Sequence, residues 1–321
     1  MNKLKVASFF SGCGGSDLGI LGDFTFLNKS YKKLPFEICY AIDNDKYAVE
    51  TYNQNFDHPS VLNDIKNIDK STIPDFNVLI GGFPCQSFST VNPTKDTNDA
   101  RANLYKELVA IVHLKKPEYF VLENVKGLTT LKKGAILKRV ISDFSKSGYN
   151  IKHKVLLASD FGIPQKRERV FIIGVRKDIS FDYAYPTETN TSTNWTPLKS
   201  VIDSLIPEDD KFYFSQRAVE GMKNAKKNMK RGLYQDLDKP CLTITSHLAK
   251  TSLNSRDPVL LVDPEKEIYR RFTPREAARI QSFPDEFKFP VSDTQAYRQI
   301  GNAIPPVLMW HVMNSLSKAI Q

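Results

Sequence analysis

Apolar and polar positions alternate along the first half of the chain in a way that predicts strands and helices in turn. Short apolar runs cover Val6 to Phe10, Phe36 to Ile42, Asn77 to Ile80 and Tyr119 to Leu122, then Ile151 to Leu157 and Val170 to Val175. Runs this short, bounded by glycine, asparagine and acidic residues, read as strands. Between them, Leu104, Leu108, Ile111 and Val112 share one helical face, and Ile136, Val140, Ile141 and Phe144 share another, with Gly148 as its stop. Alternating strands and helices predict an α/β fold: a mostly parallel sheet with helices on both faces. In such sheets the chemistry collects at the carboxyl ends of the strands, where four of these runs end in glycine or acidic residues.

The alternation breaks down after Arg176. Residues 179 to 268 are rich in Thr, Asn, Ser, Lys and Pro and show no clear period. This predicts a smaller, loop-rich second domain, with residues 1 to 178 and 269 to 321 forming the first. Regularity returns near Tyr269. Thr273-Pro274-Arg275-Glu276 reads as a helix start, with Thr as cap, Pro at the first position and Glu closing a capping box. Pro305-Pro306 opens a last helix that runs to about Ile320.

Charge sharpens the picture. The chain of 321 residues carries 45 Lys and Arg against 36 Asp and Glu. Ten of the basic residues and only three acidic ones lie between Lys211 and Arg256. Such a surface attracts phosphate backbones, or is simply a solvated basic face. No long apolar run suggests a membrane span and the N-terminus lacks an apolar signal region, so a cytoplasmic protein is expected. The four cysteines, Cys13, Cys39, Cys85 and Cys241, form no C-x-x-C pair, and neither a metal site nor a disulfide framework is expected. Cys13, Cys39 and Cys241 read as small buried apolar residues.

Two stretches carry chemistry. Ser11-Gly12-Cys13-Gly14-Gly15-Ser16-Asp17-Leu18-Gly19 follows the first strand, and its glycines permit a sharp turn and close approach of a ligand. Asp43 ends the second strand, where a carboxylate can hold ribose hydroxyls; Asp64-Ile65 can serve an adenine amino group and ring. The spacing departs from the dinucleotide fingerprint and the loop carries Asp17 where a phosphate would need a cation. An adenosine ligand without pyrophosphate fits better, with a purely structural turn as the alternative.

The second stretch is Gly81-Gly82-Phe83-Pro84-Cys85-Gln86-Ser87-Phe88-Ser89. Glycines bend the chain off the strand and Pro84 fixes its own backbone, which presents the Cys85 thiol as a nucleophile. Thr90 to Arg101 is polar and reads as a lid. Glu123-Asn124-Val125 ends the neighbouring strand; a buried carboxylic acid there can protonate a ring nitrogen. Gln165-Lys166-Arg167-Glu168-Arg169 adds positive charge, although surface salt bridging would account for the arginines equally.

Taken together, these motifs resemble the cytosine carbon-5 DNA methyltransferase family. The match comprises Phe10-Ser11-Gly12-Cys13-Gly14-Gly15 with Gly19, Gly82-Phe83-Pro84-Cys85-Gln86-Ser87, Glu123-Asn124-Val125, Gln165-Lys166-Arg167-Glu168-Arg169, Arg271 to Arg279 and Gly301-Asn302-Ala303. It covers nearly everything outside 179 to 268. The resemblance implies a Rossmann-like S-adenosylmethionine-dependent methyltransferase fold, S-adenosylmethionine as donor, S-adenosylhomocysteine as product, and no metal. It implies that Cys85 adds to carbon 6 of a cytosine flipped out of double-stranded DNA. Glu123 would hold ring nitrogen 3 and the amino group. Arg169, with Arg167 nearby, would hold the carbonyl. Carbon 5 then takes the methyl group, a base removes its proton and Cys85 leaves.

Phe10, Gly12, Gly14, Gly15, Asp43, Asn44, Asp64, Ile65 and Asn302 would line the donor pocket. Gln86, Ser89, Arg101, Thr243 and Ile244 would meet DNA, with 179 to 268 as the target-recognition domain. Two departures stand out: Ala102 where relatives often have Gly, and Asp43-Asn44 where they commonly have Glu and an aromatic residue. The expected protein is a bacterial, nucleoid-associated monomer of a restriction-modification system, paired with a separately acting endonuclease. Alternatives are a transfer-RNA cytosine methyltransferase, whose typical Cys-Phe-Thr tripeptide is absent, and an inactive DNA-binding relative.

Overall fold

The computed structural model describes residues 3–84, 104–203, 209–226, 233–248 and 258–318. Its strands, in chain order, are β1 (Leu4–Phe9), β2 (Phe24–Phe26), β3 (Lys29–Tyr31), β4 (Phe36–Asp43), β5 (Val61–Leu62), β6 (Val78–Gly81), β7 (Tyr119–Val125), β8 (Tyr149–Leu157), β9 (Gln165–Lys166), β10 (Glu168–Arg176), β11 (Cys241–Leu242), β12 (Leu260–Asp263) and β13 (Ile268–Arg270). Its helices are α1 (Gly15–Leu21), α2 (Lys46–Asn55), α3 (Leu104–Lys115), α4 (Ala135–Lys146), α5 (Gln216–Lys226), α6 (Pro274–Ile280), α7 (Asp293–Asn302) and α8 (Pro306–Ser317).

Seven strands form one sheet in the order β5-β4-β1-β6-β7-β10-β8. Pairings from β5 through β7 are parallel, whereas β10 runs antiparallel to both β7 and β8. The six apolar runs of the sequence are all in this sheet. The seventh strand, β5, is two exposed residues long and too short to leave a pattern. The chain proceeds outward from β1 to β4 and β5, then returns to the other side of β1 with β6. That reversal leaves a crevice between β1 and β6 at their carboxyl ends.

Both faces of the sheet are covered, which the strand residues record by strict alternation. Val78, Ile80, Tyr119, Val121, Phe171 and Ile173 join one core with α1, α6 and α8; Leu79, Phe120, Leu122, Val170 and Ile172 join the other with α3 and α4. Packing is tight enough to dictate residue size. A methyl group at Gly174 would lie 2.0 Å from the Phe120 ring. The helix signals hold: Gly148 follows α4 with φ 95. Thr273 caps α6 by accepting from the Glu276 amide at 3.2 Å, while its own amide donates to the Glu276 carboxylate at 2.8 Å.

Residues 179 to 268 are short of regular structure, but part of the segment belongs to the main core. Tyr183, Leu198, Val201, Cys241, Ile244, Leu248 and Leu260 pack in the same cluster as α1 and α8. A small separate cluster gathers Val219, Met222, Val259 and Tyr269. Among the described residues no helix is long and apolar enough to cross a membrane.

Candidate active site

The site lies along the carboxyl edge of the sheet. On the β1 side, one pocket is lined by Phe10, Ile42, Asp43, Asn44, Asn63, Asp64, Ile65 and Leu104. Five of the residues expected to hold the donor are therefore brought together, and Ile42, Asn63 and Leu104, which were not expected there, join them. Phe10, just after β1, has φ 57, a left-handed conformation that a bulky residue rarely adopts. The neighbouring structure must hold it there, as is common at ligand sites. Asp43 uses one carboxylate oxygen to accept from the Gly12 amide at 2.8 Å and the other to accept from the Asp45 amide at 2.9 Å. Burial pushes its carboxyl up, and these amides pull it the other way.

Among the described residues, the pocket's two carboxylates come with no cation in the lining. That lining suits a ligand with hydroxyls, an amino group and a positive charge, and opposes a pyrophosphate. S-adenosylmethionine fits these requirements.

The glycines of the loop divide in function. A methyl group on Gly12 would meet open space, whereas one on Gly14 would sit 2.2 Å from Phe56 and one on Gly15 2.7 Å from the Ile304 carbonyl. A side chain at Gly14 or Gly15 is thus excluded by packing against protein. Gly19 is required in the same way, beneath Pro306. Asn302 is exposed at the end of α7 and is not among the residues lining this pocket.

On the other side of the crevice, β7 and β10 pair so that Glu123 faces Phe171 and Val125 faces Arg169. Glu123 and Arg169 are therefore diagonal neighbours on one face, and their side chains meet at 2.9 Å. Both are largely buried. Burial raises the Glu123 carboxyl, and the charges of Arg169 and Arg167 oppose the rise. Gly82 lies directly beside this pair, its methyl position 3.7 Å from a Glu123 oxygen. Asn124 donates to the Phe83 carbonyl at 2.8 Å. The chain at Gly82 and Phe83 is thereby fixed next to Glu123. Cys85 itself, with Gln86, Ser89, Arg101 and Ala102, lies outside the described residues.

Two expected site residues are used differently. Arg167 is 1% exposed, and its guanidinium donates to the backbone carbonyls of Ile244, Gly301 and Ala303. It is spent on the fold and does not present its charge to a substrate. Ile244 is 0% exposed and packs in the main core, so its side chain is not placed to touch DNA. Thr243 is half-buried and donates to the Lys166 carbonyl at 2.7 Å.

Of the remaining cysteines, Cys13 and Cys241 are buried as expected, whereas Cys39 is only partly so. Burial pushes the Cys13 thiol up to about 12 and raises Cys241 further, while partly buried Cys39 is raised and donates to the Val6 carbonyl. Among the described residues no group of three or more His, Cys, Asp and Glu side chains is arranged to hold a metal ion.

Strand order and the crevice at its reversal are those of the S-adenosylmethionine-dependent methyltransferase fold. Solved structures share it. A Spodoptera frugiperda DNMT2 mutant superposes with a TM-score of 0.77 at 20% identity, covering 98% of this chain and 99% of its own. S. pombe Dnmt2 does so with 0.76 at 21% identity, covering 98% of each. Residues 4–318 match the model of the family described as C-5 cytosine-specific DNA methylase. The type II methyltransferase M.NgoFVII of Neisseria gonorrhoeae is 35% identical over 332 residues, spanning 95% of this chain and 84% of its own length. M.NlaX of Neisseria lactamica is 35% identical over 303 residues, spanning 94% and 92%. The chain belongs to the C-5 cytosine-specific DNA methylase family and is a DNA (cytosine-5-)-methyltransferase.

Proposed function

We propose that Cys85 is the nucleophile, that Glu123 and Arg169 hold the target cytosine, and that the Phe10–Asp43–Asp64 pocket holds S-adenosylmethionine. The observation that carries this reading is the buried Glu123–Arg169 pair lying beside Gly82, three residues before Cys85.

Each residue has a task its position suits. The Cys85 thiolate adds to carbon 6 of the ring. Glu123, whose carboxyl is raised by burial, keeps its proton to higher pH than an exposed glutamate and donates it to ring nitrogen 3. That neutralises the charge which addition pushes onto the ring. Arg169 keeps Glu123 oriented and directs its remaining donors to the ring carbonyl. The bound donor supplies an electrophilic methyl group. Once carbon 5 carries the methyl, loss of its proton to a base returns the electrons that expel Cys85 as thiolate. The other three cysteines cannot substitute readily, since burial holds the thiols of Cys13, Cys39 and Cys241 in their protonated form.

The substrate reading is a cytosine flipped out of duplex DNA, because carbon 6 is inaccessible within the stack. Residues 179 to 268 form the target-recognition domain against the catalytic part formed by 1 to 178 and 269 to 321. Its basic residues supply phosphate affinity, and exposed side chains near Thr243 supply contacts to bases. The type II relatives support a role as the modification enzyme of a restriction-modification system. Incubating purified protein with tritiated S-adenosylmethionine and unmethylated plasmid tests this reading. Wild type should label cytosine carbon 5 and Cys85→Ala should not; full labelling by Cys85→Ala would refute the assignment.

A further inference from the structure

Among the described residues Arg167 is a cation buried without a carboxylate of its own, since the neighbouring Glu123 is held by Arg169. Three carbonyls take its place: Ile244 at 3.1 Å, Gly301 at 3.0 Å and Ala303 at 3.0 Å. The last two lie at the C-terminal end of α7, where unpaired carbonyls favour a positive charge. Two residues earlier, Gln165 grips the same segments. Its side-chain oxygen accepts from the Ile244 amide at 3.0 Å, and its nitrogen donates to the Gln281 side chain at 2.6 Å. Gln281 in turn donates to the carbonyls of Ile300 and Ala303. Both backbone groups of Ile244 and the carbonyls around Asn302 are thus held by one buried network of Gln165, Arg167 and Gln281.

A second, independent contact joins the same two segments. A methyl group at Gly301 would lie 2.2 Å from the Thr245 carbonyl carbon and 2.3 Å from the Ser246 nitrogen. These are backbone atoms, so α7 and the 243–246 segment touch main chain to main chain. Beyond Ala303 the chain lies against the glycine loop, with the Ile304 carbonyl facing Gly15. A methyl group at Gly82, beside Glu123, would lie 3.9 Å from the Ile304 side chain. A continuous path of packed groups therefore runs from Thr243 through Arg167 and α7 to the loop at the donor pocket.

We propose that Arg167 and Gly301 form a joint that links DNA engagement at Thr243–Ser246 to donor binding at the glycine loop, with Arg167 as a positioning residue. This rests on the reading of 179 to 268 as the DNA-recognition segment. The physical basis is that neither segment can shift alone without stranding a buried charge or parting two backbones in contact. A ligand that orders one segment spares the other ligand part of the ordering cost, so each tightens the other equally.

The test is isothermal titration of S-adenosylhomocysteine into wild type, alone and saturated with duplex DNA containing the site identified by bisulfite sequencing. Wild type should bind S-adenosylhomocysteine on the order of tenfold more tightly with DNA, within the usual range of such coupling. Arg167→Met and Gly301→Ala should bind it alone within about threefold of wild type and lose the DNA-dependent gain, with Arg167→Lys retaining part of it. Equal affinity with and without DNA in wild type would overturn the proposal and needs no variant to fold. Full coupling in Arg167→Met would overturn it also. On wild type alone, S-adenosylhomocysteine should increase hydrogen-exchange protection at 243–246, and unchanged protection counts against the joint. The two readings fail differently. If Thr243→Val leaves DNA affinity and site preference unaltered, the recognition reading fails; if DNA and S-adenosylhomocysteine both bind normally but independently, only the joint fails.

Discussion

Replacing Asp17 by Asn should make the protein more stable at alkaline pH and change it little in acid. Asp17 lies in the first turn of α1 with no exposure, and only one of its carboxylate oxygens has a partner, the Ser8 hydroxyl at 3.1 Å. Burial raises its carboxyl from 3.8 to about 7, against the pull of the Ser8 hydroxyl and of the nearby Tyr52 hydroxyl. The unfolded chain releases this proton near its ordinary value while the native state still holds it. Stability is therefore greatest below the unfolded value and declines as pH rises through the native one. At about 1.4 kcal/mol per pH unit between the two values, the native state gives up at most about 4 kcal/mol.

Asn is isosteric and never ionises, so it removes this loss and leaves contributions from other groups common to both proteins. Between about pH 5.5 and about pH 8 the advantage of Asp17→Asn over wild type should widen by roughly 2 kcal/mol. Urea unfolding at the two pH values measures it directly. Parallel curves, with the same difference at both, would show that Asp17 ionises normally in the folded state and refute the reasoning.

Three further outcomes follow from the same geometry. Glu123→Gln should lower methyl transfer by about 10² to 10⁴-fold while DNA binding persists, and the wild-type single-turnover rate should fall as pH rises through the raised Glu123 value; a flat alkaline limb would contradict its role as the acid. Arg270→Met should destabilise the protein by about 3–5 kcal/mol in urea unfolding, because it strands the Glu276 carboxylate that Arg270 holds by two bonds of 2.7 Å in the core; a change under 1 kcal/mol would argue against an ionised pair. Duplex affinity should drop on the order of 10³-fold from about 50 to about 200 mM salt, and a flat titration would remove phosphate contacts from the account.

What the sequence revealed depended on local information. The unbroken apolar runs Tyr119–Leu122 and Val170–Val175 mark strands buried on both faces, and both proved internal to the sheet. The capping box at Thr273 is decided by neighbours in sequence and was equally legible. Phe10, Asp43 and Asp64 could be assigned to one pocket because strand ends in a parallel sheet converge. Long-range pairing left no such trace. Nothing local distinguishes the antiparallel direction of β10, or the two exposed residues of β5. Arg167 and Arg169 read alike in sequence, but one lies beside Glu123 and the other is surrounded by carbonyls from 77 to 136 residues away. Gly14, Gly15 and Gly19 mark close approaches in the sequence, and only the structure shows which protein groups make them.

The central claim is a transient bond between Cys85 and a cytosine lifted from its duplex. Substituting 5-fluorocytosine at the target removes the hydrogen whose departure releases the enzyme, so the adduct should persist in the presence of S-adenosylmethionine. Peptide mass mapping of the trapped complex should place the modified base on Cys85 alone. A base attached to Cys13, Cys39 or Cys241, or methylation that proceeds on ordinary duplex while no adduct forms on the fluorinated one, would contradict the account.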